Sequence, residues 1–308
     1  MSEGGKRVAV IDIGTNSTRL LVADVASGRV SPVERRSTVT RLGRGVDLSG
    51  HLAHEAIEDV CTAIDAYVGI LQELGAETIE AIATSAVRDA DNGSAFIAEL
   101  RERFALSARV LDGEEEARAT YLGATSENPP SEPTLVVDIG GGSTELVVGT
   151  GDEVSFHDSL QAGVVRHSER HVASDPPTAG ELEALAADVR GLIEASLGAG
   201  VEARQGIAVA GTPTSLAAVE MELEPYDPTR VHGHVLELPS IQRMLSRLAS
   251  APLAERVEIP GLHPDRAPTI VAGVVILVEA MRAFELERIV VSENDILYGT
   301  ALAAVALR

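Results

Sequence analysis

The sequence is poor in cysteine, in aromatic residues and in positive charge. It contains one cysteine, Cys61, and no tryptophan, and aromatic residues make up only 3% of its 308 residues. A single cysteine excludes an internal disulfide and any zinc site built from several cysteines. We expect Cys61 to be a core residue on an apolar helical face. The remaining composition, 45% hydrophobic and rich in small aliphatic residues, is typical of an α/β protein.

Basic residues are outnumbered. The 25 Lys and Arg face 47 Asp and Glu, which gives a formal net charge of -22. Sequence-independent binding to nucleic acid relies on broad positive fields, so we expect no nucleic-acid partner. A polyanionic substrate would need bound cations or a local basic lining. The candidates for such a lining are Arg19, Arg35, Arg36, Arg41, Arg44 and Arg88.

Long hydrophobic runs are also missing. The most apolar stretch, residues 269–284, contains Glu279 and Arg282 and is too short to span a bilayer, so it predicts a buried helix. No secretory signal precedes the first apolar run at Val8. We therefore expect a cytoplasmic location and no membrane partner.

An internal repeat is the most informative feature that is present. Residues 12–22 read DIGTNSTRLLV, residues 138–148 read DIGGGSTELVV, and seven of these eleven positions are identical. Each copy follows one β-branched run and leads into another. This pattern predicts a strand, a glycine turn and a second strand in each copy.

A second correspondence supports duplication. Two predicted strands, 79–83 and 206–210, each run into a short polar turn and a helix, and they are offset by 127 residues against 126 for Asp12 and Asp138. We predict an α/β fold of two duplicated domains, 1–125 and 126–308, with mixed sheets and a cleft between the halves. The stretch TSENPPSEP (125–133) is the predicted linker. Helices are predicted at 52–74, 114–122, 181–197, 239–248, 269–284 and 297–307, the last a candidate to pack back on the first domain.

The turns of the repeat suit phosphate. Glycine lets a backbone approach a ligand closely, and consecutive amides can point into one anion-binding concavity. Short hydroxyl and amide side chains add further hydrogen-bonding groups. The candidate phosphate-binding residues are Gly14, Thr15, Asn16, Ser17 and Arg19 in the first copy and Gly140, Gly141, Gly142, Ser143 and Thr144 in the second.

Carboxylates accompany both turns. Asp12 and Asp138 end their strands at equivalent positions, where they suit Mg²⁺ that bridges phosphate oxygens. The alternative is that each Asp accepts hydrogen bonds from amides of its own turn. In LDGEEEARATYLG, three glutamates (114–116) open a helix. They could simply interact with the helix dipole, or one could position a water for attack on phosphorus; the residues alone leave this open.

The sequence resembles the exopolyphosphatase and guanosine pentaphosphate phosphohydrolase (Ppx/GppA) family of the sugar kinase, Hsp70 and actin superfamily. The resemblance covers essentially the whole chain. It rests on these motifs, in order: DIGTNSTRLLV, ATSAVRDADNG, LDGEEEARATYLG, VVDIGGGSTELVVG, AGTPTSLAA, VHGHVL and IPGLHPDRAPTIVAG. It implies two ribonuclease-H-like (actin-like ATPase) domains with an active-site cleft between them.

The resemblance also implies roles for individual residues. Glu116 would activate the attacking water, Asp138 and Glu145 would serve Mg²⁺ (or Mn²⁺) and catalysis, and Arg88 and Arg19 would bind phosphate. Asp12 joins Asp138 and Glu145 as a candidate metal ligand. The resemblance further implies a homodimer.

The expected function is Mg²⁺-dependent exopolyphosphatase activity on inorganic polyphosphate, with short chains favoured because the helical C-terminal domains of longer family members are missing. The first alternative is a guanosine pentaphosphate (pppGpp) phosphohydrolase. A kinase of the same fold is disfavoured because Pro213 and Thr214 interrupt the glycine-rich run that a purine ring needs to approach. A non-catalytic alarmone sensor is the third alternative. One departure concerns SENDILYGTAL, where Leu297 and Tyr298 replace a basic-acidic pair and so put a phosphate contact there in doubt.

Overall fold

A computed structural model describes residues 5–198 and 200–306. The chain forms two compact units. The first consists of Met1–Asn128 together with Asn294–Arg308, and the second is the continuous segment Pro129–Glu293. Among the described residues, no helix is long and apolar enough to cross a membrane.

The secondary structure alternates between strands and helices in both units. The first segment contains β1 (Lys6–Ile13), β2 (Ser17–Ala26), β3 (Arg29–Val39), α1 (Val46–Ser49), α2 (His54–Leu74), β4 (Thr78–Ala83), α3 (Ser85–Asp89), α4 (Gly93–Phe104), β5 (Ala108–Val110) and α5 (Gly113–Thr125). The second unit contains β6 (Thr134–Ile139), β7 (Thr144–Thr150), β8 (Glu153–Leu160), α6 (Val164–His171), α7 (Ala179–Ser196), β9 (Gln205–Val209), α8 (Gly211–Glu220), α9 (Pro228–Val231), β10 (Val235–Glu237), α10 (Leu238–Ser250), α11 (Leu253–Arg256), a 3₁₀ turn (Pro264–Arg266), α12 (Ile270–Ala283) and β11 (Arg288–Val291). The chain then returns to the first unit with α13 (Ile296–Ala306).

The two sheets share one topology. Within the described ranges, the first has the strand order β3-β2-β1-β4-β5 and the second β10-β11-β9-β6-β7-β8. In each, an antiparallel meander (β1 to β3, β6 to β8) is extended by parallel strands (β4 and β5, β9 and β11). The order β8-β7-β6-β9-β11 therefore repeats β3-β2-β1-β4-β5, with β10 added at one edge. The predicted α/β fold of duplicated domains with mixed sheets is confirmed.

The central strands β1 and β2 of the first sheet are buried on both faces, and their side chains alternate between two apolar clusters. Ile11 and Leu20 pack in one apolar cluster with α2, whereas Val10 and Leu21 pack in another with α13. Successive strand residues point to opposite faces, so the two clusters lie on opposite sides of the sheet. Cys61 is 1% exposed in the α2 cluster, as predicted.

The final helix explains the departure at the end of the sequence. Leu297 and Tyr298 are 1% and 5% exposed and belong to the apolar cluster between α13 and the first sheet. Their apolar character serves core packing. The helix predicted at 269–284 is observed as α12, which is buried on every side from Ile270 to Met281.

The predicted helices all form, with shifted ends. Helix α5 begins at Gly113 because Asp112 and Glu115 make a reciprocal capping box, and it runs on to Thr125. The motif VHGHVL contains a turn before its strand. Gly233 has a φ of +81°, which interrupts an extended backbone, and β10 begins only at Val235.

Two glycines let α5 and α13 pack backbone to backbone. A Cβ added at Gly299 would collide with the carbonyl of Ala119, and one added at Gly123 would collide with the carbonyl of Asp295. The collisions involve main-chain atoms, so they could be relieved only by moving a whole helix.

We therefore expect Gly299→Ala to lower the free energy of unfolding by about 1–3 kcal/mol, the usual range for overpacking. Gly191→Ala is the matched control, since Gly191 lies within α7 with no atom near its Cβ position. Helix propensity alone should make this control more stable by about 0.4–1 kcal/mol. Urea unfolding of both variants measures the difference, and equal effects would contradict the proposed backbone packing.

Candidate active site

The first glycine turn joins β1 to β2. The amide of Gly14 donates to the carbonyl of Ser17 (3.1 Å), which closes the turn. The carbonyls of Thr15 and Asn16 accept amide hydrogen bonds from Gly43 and from Thr40 and Arg41, and the Thr15 hydroxyl contacts that of Ser85 (2.8 Å). The turn is thus fixed by two neighbouring loops.

A charged trio lies directly behind this turn. Asp12 and Arg19 are cross-strand partners in the hairpin, and Arg19 donates to Asp12 Oδ2 from Nε (2.9 Å) and Nη2 (2.6 Å). Its Nη1 donates to Asp295, which precedes α13. Both carboxylates are nearly inaccessible, at 2% and 3% exposure for Asp12 and Asp295. Arg19 therefore ties the end of the chain to the first hairpin.

Two atoms of the first turn are buried without a hydrogen-bond partner among the described residues. They are Oδ1 of Asp12 and the amide nitrogen Nδ2 of Asn16. Burial raises the pKa of Asp12, against the opposing effect of Arg19. A buried acceptor or donor without a partner carries a desolvation penalty. A bound cation or hydrated ion would relieve that of Asp12 Oδ1, and a bound anion would relieve that of Asn16 Nδ2.

The second turn joins β6 to β7 and is closed in the same way, by a hydrogen bond from the Gly140 amide to the Ser143 carbonyl (3.0 Å). Its carbonyls are held by the start of α6. Val164 and Val165 donate their amides to Gly140 and Gly141 (2.9 and 2.8 Å). The Arg166 Nε donates to the Gly142 carbonyl (2.8 Å), and the Thr144 hydroxyl donates to Ala162.

The charged pair behind the second turn differs from that of the first. Asp138 and Glu145 occupy the cross-strand positions that Asp12 and Arg19 occupy in the first hairpin. They are 7% and 1% exposed, and Glu145 also accepts a hydrogen bond from the Ser159 hydroxyl (2.9 Å). Two carboxylates facing each other across antiparallel strands repel. A hard divalent cation, which prefers carboxylate oxygens, fits this pair and offsets its charge.

The structure separates the three glutamates that open α5. Glu114 pairs with Arg118 (2.8 Å), and Glu115 completes the capping box and pairs with Arg109; both are exposed. Glu116 is 6% exposed. Interaction with the helix dipole therefore accounts for the exposed Glu114 and Glu115 but not for the buried Glu116.

Arg88 holds the buried glutamate. Its Nη1 donates both to Glu116 Oε2 (3.0 Å) and to the carbonyl of Leu111 (2.9 Å). Arg88 lies in α3, the short helix after β4, so the turn that follows the parallel strand positions the guanidinium. The structure thus brings Arg88 and Glu116 together, and Asp12 and Arg19 together, within the first unit.

Asp295 was not predicted as a site residue. Its neighbours Leu297 and Tyr298 stood out as apolar, whereas the Asp295 carboxylate forms the ion pair with Arg19 and accepts the Leu297 amide as a helix cap (3.0 Å). An aspartate two residues before an apolar helix is a capping signal that the sequence does contain. Ser159 was also missed, since no local pattern marks it.

Other candidate arginines of the predicted basic lining have structural contacts. The Arg35 guanidinium lies over the ring of Tyr298, 5.7 Å from its centroid, and Arg36 pairs with Glu34 (2.9 Å). In the second unit, Arg266 fills the space beside Gly211, where a Cβ would collide with the guanidinium. The turn at the start of α8 is thus packed against an arginine.

Comparison with known proteins agrees with this architecture. Residues 21–302 match the Ppx/GppA phosphatase family. The chain belongs to the Ppx/GppA phosphatase family. It is 37% identical over 313 residues to a Mycobacterium tuberculosis protein named Exopolyphosphatase 2, covering 96% of this chain and 98% of that one.

Solved structures of the Ppx/GppA family show the same fold. A family member from Aquifex aeolicus superposes with a TM-score of 0.85 at 32% identity, covering 98% of each chain. An exopolyphosphatase from Cytophaga hutchinsonii superposes with a TM-score of 0.88 at 26% identity, covering 97% of this chain and 98% of that one.

The buried trio leads to a stability prediction. Arg19→Met leaves Asp12 and Asp295 buried without their cationic partner, so we expect the free energy of unfolding at pH 7 to fall by about 3–5 kcal/mol. Arg36→Met, which breaks an exposed pair, should change it by about 0.5 kcal/mol or less. Thermal and urea unfolding measure both.

The pH dependence of Arg19→Met has a definite sign. Burial already raises the pKa of Asp12, and loss of Arg19 raises it further, so the folded variant binds a proton more tightly than the unfolded chain. The stability deficit should therefore shrink as the pH falls through the raised pKa of folded Asp12 towards the ordinary pKa of Asp, and it should be constant above that raised pKa. A deficit independent of pH would show that packing, and not charge, is what Arg19 supplies.

Proposed function

We propose that this chain is an exopolyphosphatase that hydrolyses the terminal phosphoanhydride bond of inorganic polyphosphate with the help of a divalent cation. The observation that carries the proposal is the buried carboxylate pair Asp138 and Glu145 beside a glycine turn. Two facing carboxylates suit the cation that phosphoryl transfer commonly uses. The relatedness to proteins named as exopolyphosphatases supports polyphosphate as the substrate.

Asp138 and Glu145 would hold Mg²⁺ or Mn²⁺, with Asp12 as a further candidate through its unsatisfied Oδ1. The cation, when bound, neutralises charge on phosphate oxygens. Ser159 orients Glu145 through its hydroxyl, so the carboxylate keeps one direction when the cation exchanges.

Glu116 is the proposed general base. It accepts a proton from water while the water oxygen bonds to the terminal phosphorus and the bridging P–O bond breaks. The products are inorganic phosphate and a chain shorter by one phosphate. Arg88 orients the Glu116 carboxylate, and its remaining donors are suited to equatorial phosphate oxygens.

The turn residues of both units bind phosphate in this proposal. In the first, the orphan Asn16 Nδ2 offers a donor and Arg19 a nearby positive charge. In the second, hydrogen bonds from α6 hold the carbonyls of Gly140 and Gly141 and so fix the backbone around Ser143 and Thr144.

Hydrolysis of pppGpp to the tetraphosphate is the second candidate, because it breaks the same kind of bond. Phosphate release from polyphosphates of graded length, compared with pppGpp at equal concentration, separates the two. Faster turnover of short polyphosphates supports the proposal, and turnover of pppGpp alone contradicts it.

Cytoplasmic location and a homodimer are parts of the same proposal, and gel filtration with light scattering tests the dimer.

Replacing the proposed base gives the sharpest test of the chemistry. Glu116→Gln should lower kcat for phosphate release by about 10²–10⁴, the usual contribution of a general base, while KM changes little. Glu114→Gln is the matched control on the same helix, where Glu114 is exposed and paired only with Arg118 in the described contacts. Near-normal turnover of Glu116→Gln, with normal folding, would remove the assignment.

The metal assignment predicts a different kinetic signature. Asp138→Asn and Glu145→Gln should each raise the Mg²⁺ concentration needed for half-maximal activity by about tenfold or more, because each removes a charged ligand. Asp152→Asn, on the turn between β7 and β8, serves as the control. An unchanged Mg²⁺ requirement in both site variants would place the cation elsewhere.

A further inference from the structure

A second group of metal-ligating side chains lies in the second unit, outside the proposed catalytic residues. His167 and His171 are one turn apart on α6, and Asp188 faces them from α7. One ligand atom of each residue lies within 4.8 Å of the others. The two histidines at positions i and i+4 are on one face of the helix, which is the spacing used by helical metal sites.

The distances within this cluster are close to those of a coordination sphere. Asp188 Oδ2 lies 2.8 Å from His171 Nε2 and 3.5 Å from His167 Nε2. A tetrahedral Zn²⁺ with bonds of about 2.0–2.1 Å holds its ligand atoms about 3.3 Å apart. The two observed separations bracket that value. The histidine rings are tilted by 40°, with centroids 5.5 Å apart, so they are not stacked on each other.

His167 is the observation that points to a ligand. The side chain is 0% exposed, and neither ring nitrogen makes a hydrogen bond to any residue that the structure describes. Buried polar nitrogens without a hydrogen-bond partner are rare in folded proteins, and a bound ion is one explanation for them. Burial lowers the pKa of His167 to about 4, so its ring is neutral at pH 7.

A comparison with the other such cluster favours this one. Glu58, Cys61 and Glu99 also lie within ligand distance of one another, but Arg103 occupies their centre, with Nη1 2.7 Å from Glu58 and 2.8 Å from Glu99. At the histidine cluster, Arg170 approaches from one side, with its Nη1 3.5 Å from Asp188 Oδ2. Arg170 is exposed and can move aside into solvent.

We propose that His167, His171 and Asp188 form a site for Zn²⁺ or a similar late transition-metal dication that ties α6 to α7. Imidazole and carboxylate ligands suit such ions, whereas Mg²⁺ prefers oxygen alone. The start of α6 holds the Gly140 and Gly141 carbonyls, so the bound ion also steadies the second glycine turn from behind. The proposal does not depend on the reaction assigned above.

Metal binding can be measured directly on the full chain. Protein treated with EDTA and dialysed into millimolar Mg²⁺, which occupies carboxylate sites, is titrated with Co²⁺. We expect one equivalent to bind with the visible d–d absorption of four- or five-coordinate Co²⁺, and Zn²⁺ to displace it. Absence of both the absorption and stoichiometric binding overturns the proposal.

Three variants test the ligands. Loss of a side chain that only supports a metal ligand weakens metal sites by about 10- to 100-fold. Loss of a ligand itself, in His171→Gln or Asp188→Asn, should therefore weaken Co²⁺ binding at least that much. His167→Leu should do the same. Because His167 is buried, the two less buried positions keep the test valid if this variant fails to fold.

His234→Gln is the matched control. His234 pairs with Glu220 (2.7 Å) in the same way that His171 pairs with Asp188, but among the described residues no second histidine lies within ligand distance of that pair. It should bind Co²⁺ like the unmodified chain. Retained binding in His171→Gln and Asp188→Asn, or loss in His234→Gln, contradicts the site.

Hydrogen exchange tests the connection between the helices. Zn²⁺ at saturation should slow exchange of the amides of α6 and α7, including those of Val164 and Val165, in the unmodified chain and not in Asp188→Asn. Binding of one equivalent without any change at α6 would show that the ion does not link these helices.

Discussion

One backbone hydrogen bond in each unit, from a glycine amide to a serine carbonyl across the turn, sets the geometry of the charged residues. The bond from Gly14 to Ser17 and that from Gly140 to Ser143 fix the register of the two hairpins. In that register Asp12 faces Arg19 and Asp138 faces Glu145. A slip of one residue would send each side chain to the opposite face of its sheet. The electrostatics of both sites therefore follow from the closure of two turns.

The duplicated hairpins have diverged at one informative position. In the first, the carboxylate of Asp12 faces Arg19, whose guanidinium also binds a second carboxylate, Asp295. In the second, Asp138 faces another carboxylate. The first hairpin places a cation opposite a carboxylate, whereas the second places two carboxylates opposite each other. The two hairpins thus have equivalent strand pairing but different electrostatics, because Arg19 in the first corresponds to Glu145 in the second.

Much of the fold could be predicted because the responsible signals are local or repeated. The shared DIG and ST residues, and the equal offset of the strands at 79–83 and 206–210, indicated the duplicated sheets before any coordinates. Hydrophobic spacing located the helices, although capping by Asp112 and packing of the chain end shifted their boundaries. The left-handed Gly233 shows the limit of pattern alone, since its turn within VHGHVL was not predicted.

The site was predictable in composition but not in pairing. Short motifs named Asp12, Arg19, Arg88 and Glu116 without indicating which of them would touch. Asp295 lies 276 residues from Arg19, and Ser159 lies on a strand without any motif. Contacts of this kind depend on the tertiary fold, which sequence spacing does not encode. Burial was equally decisive for Glu116, because three adjacent glutamates look alike until the helix turns one of them inward.

The composite nature of the first unit has a consequence for biosynthesis. Its sheet is covered on one face by α13, which is translated after the whole of the second unit. Residues 129–293 form a continuous segment with an apolar core of their own. The N-terminal strands must wait with one apolar face uncovered until the last helix emerges. In this protein the part that is made first therefore depends on the part that is made last, in contrast to the usual order of vectorial folding.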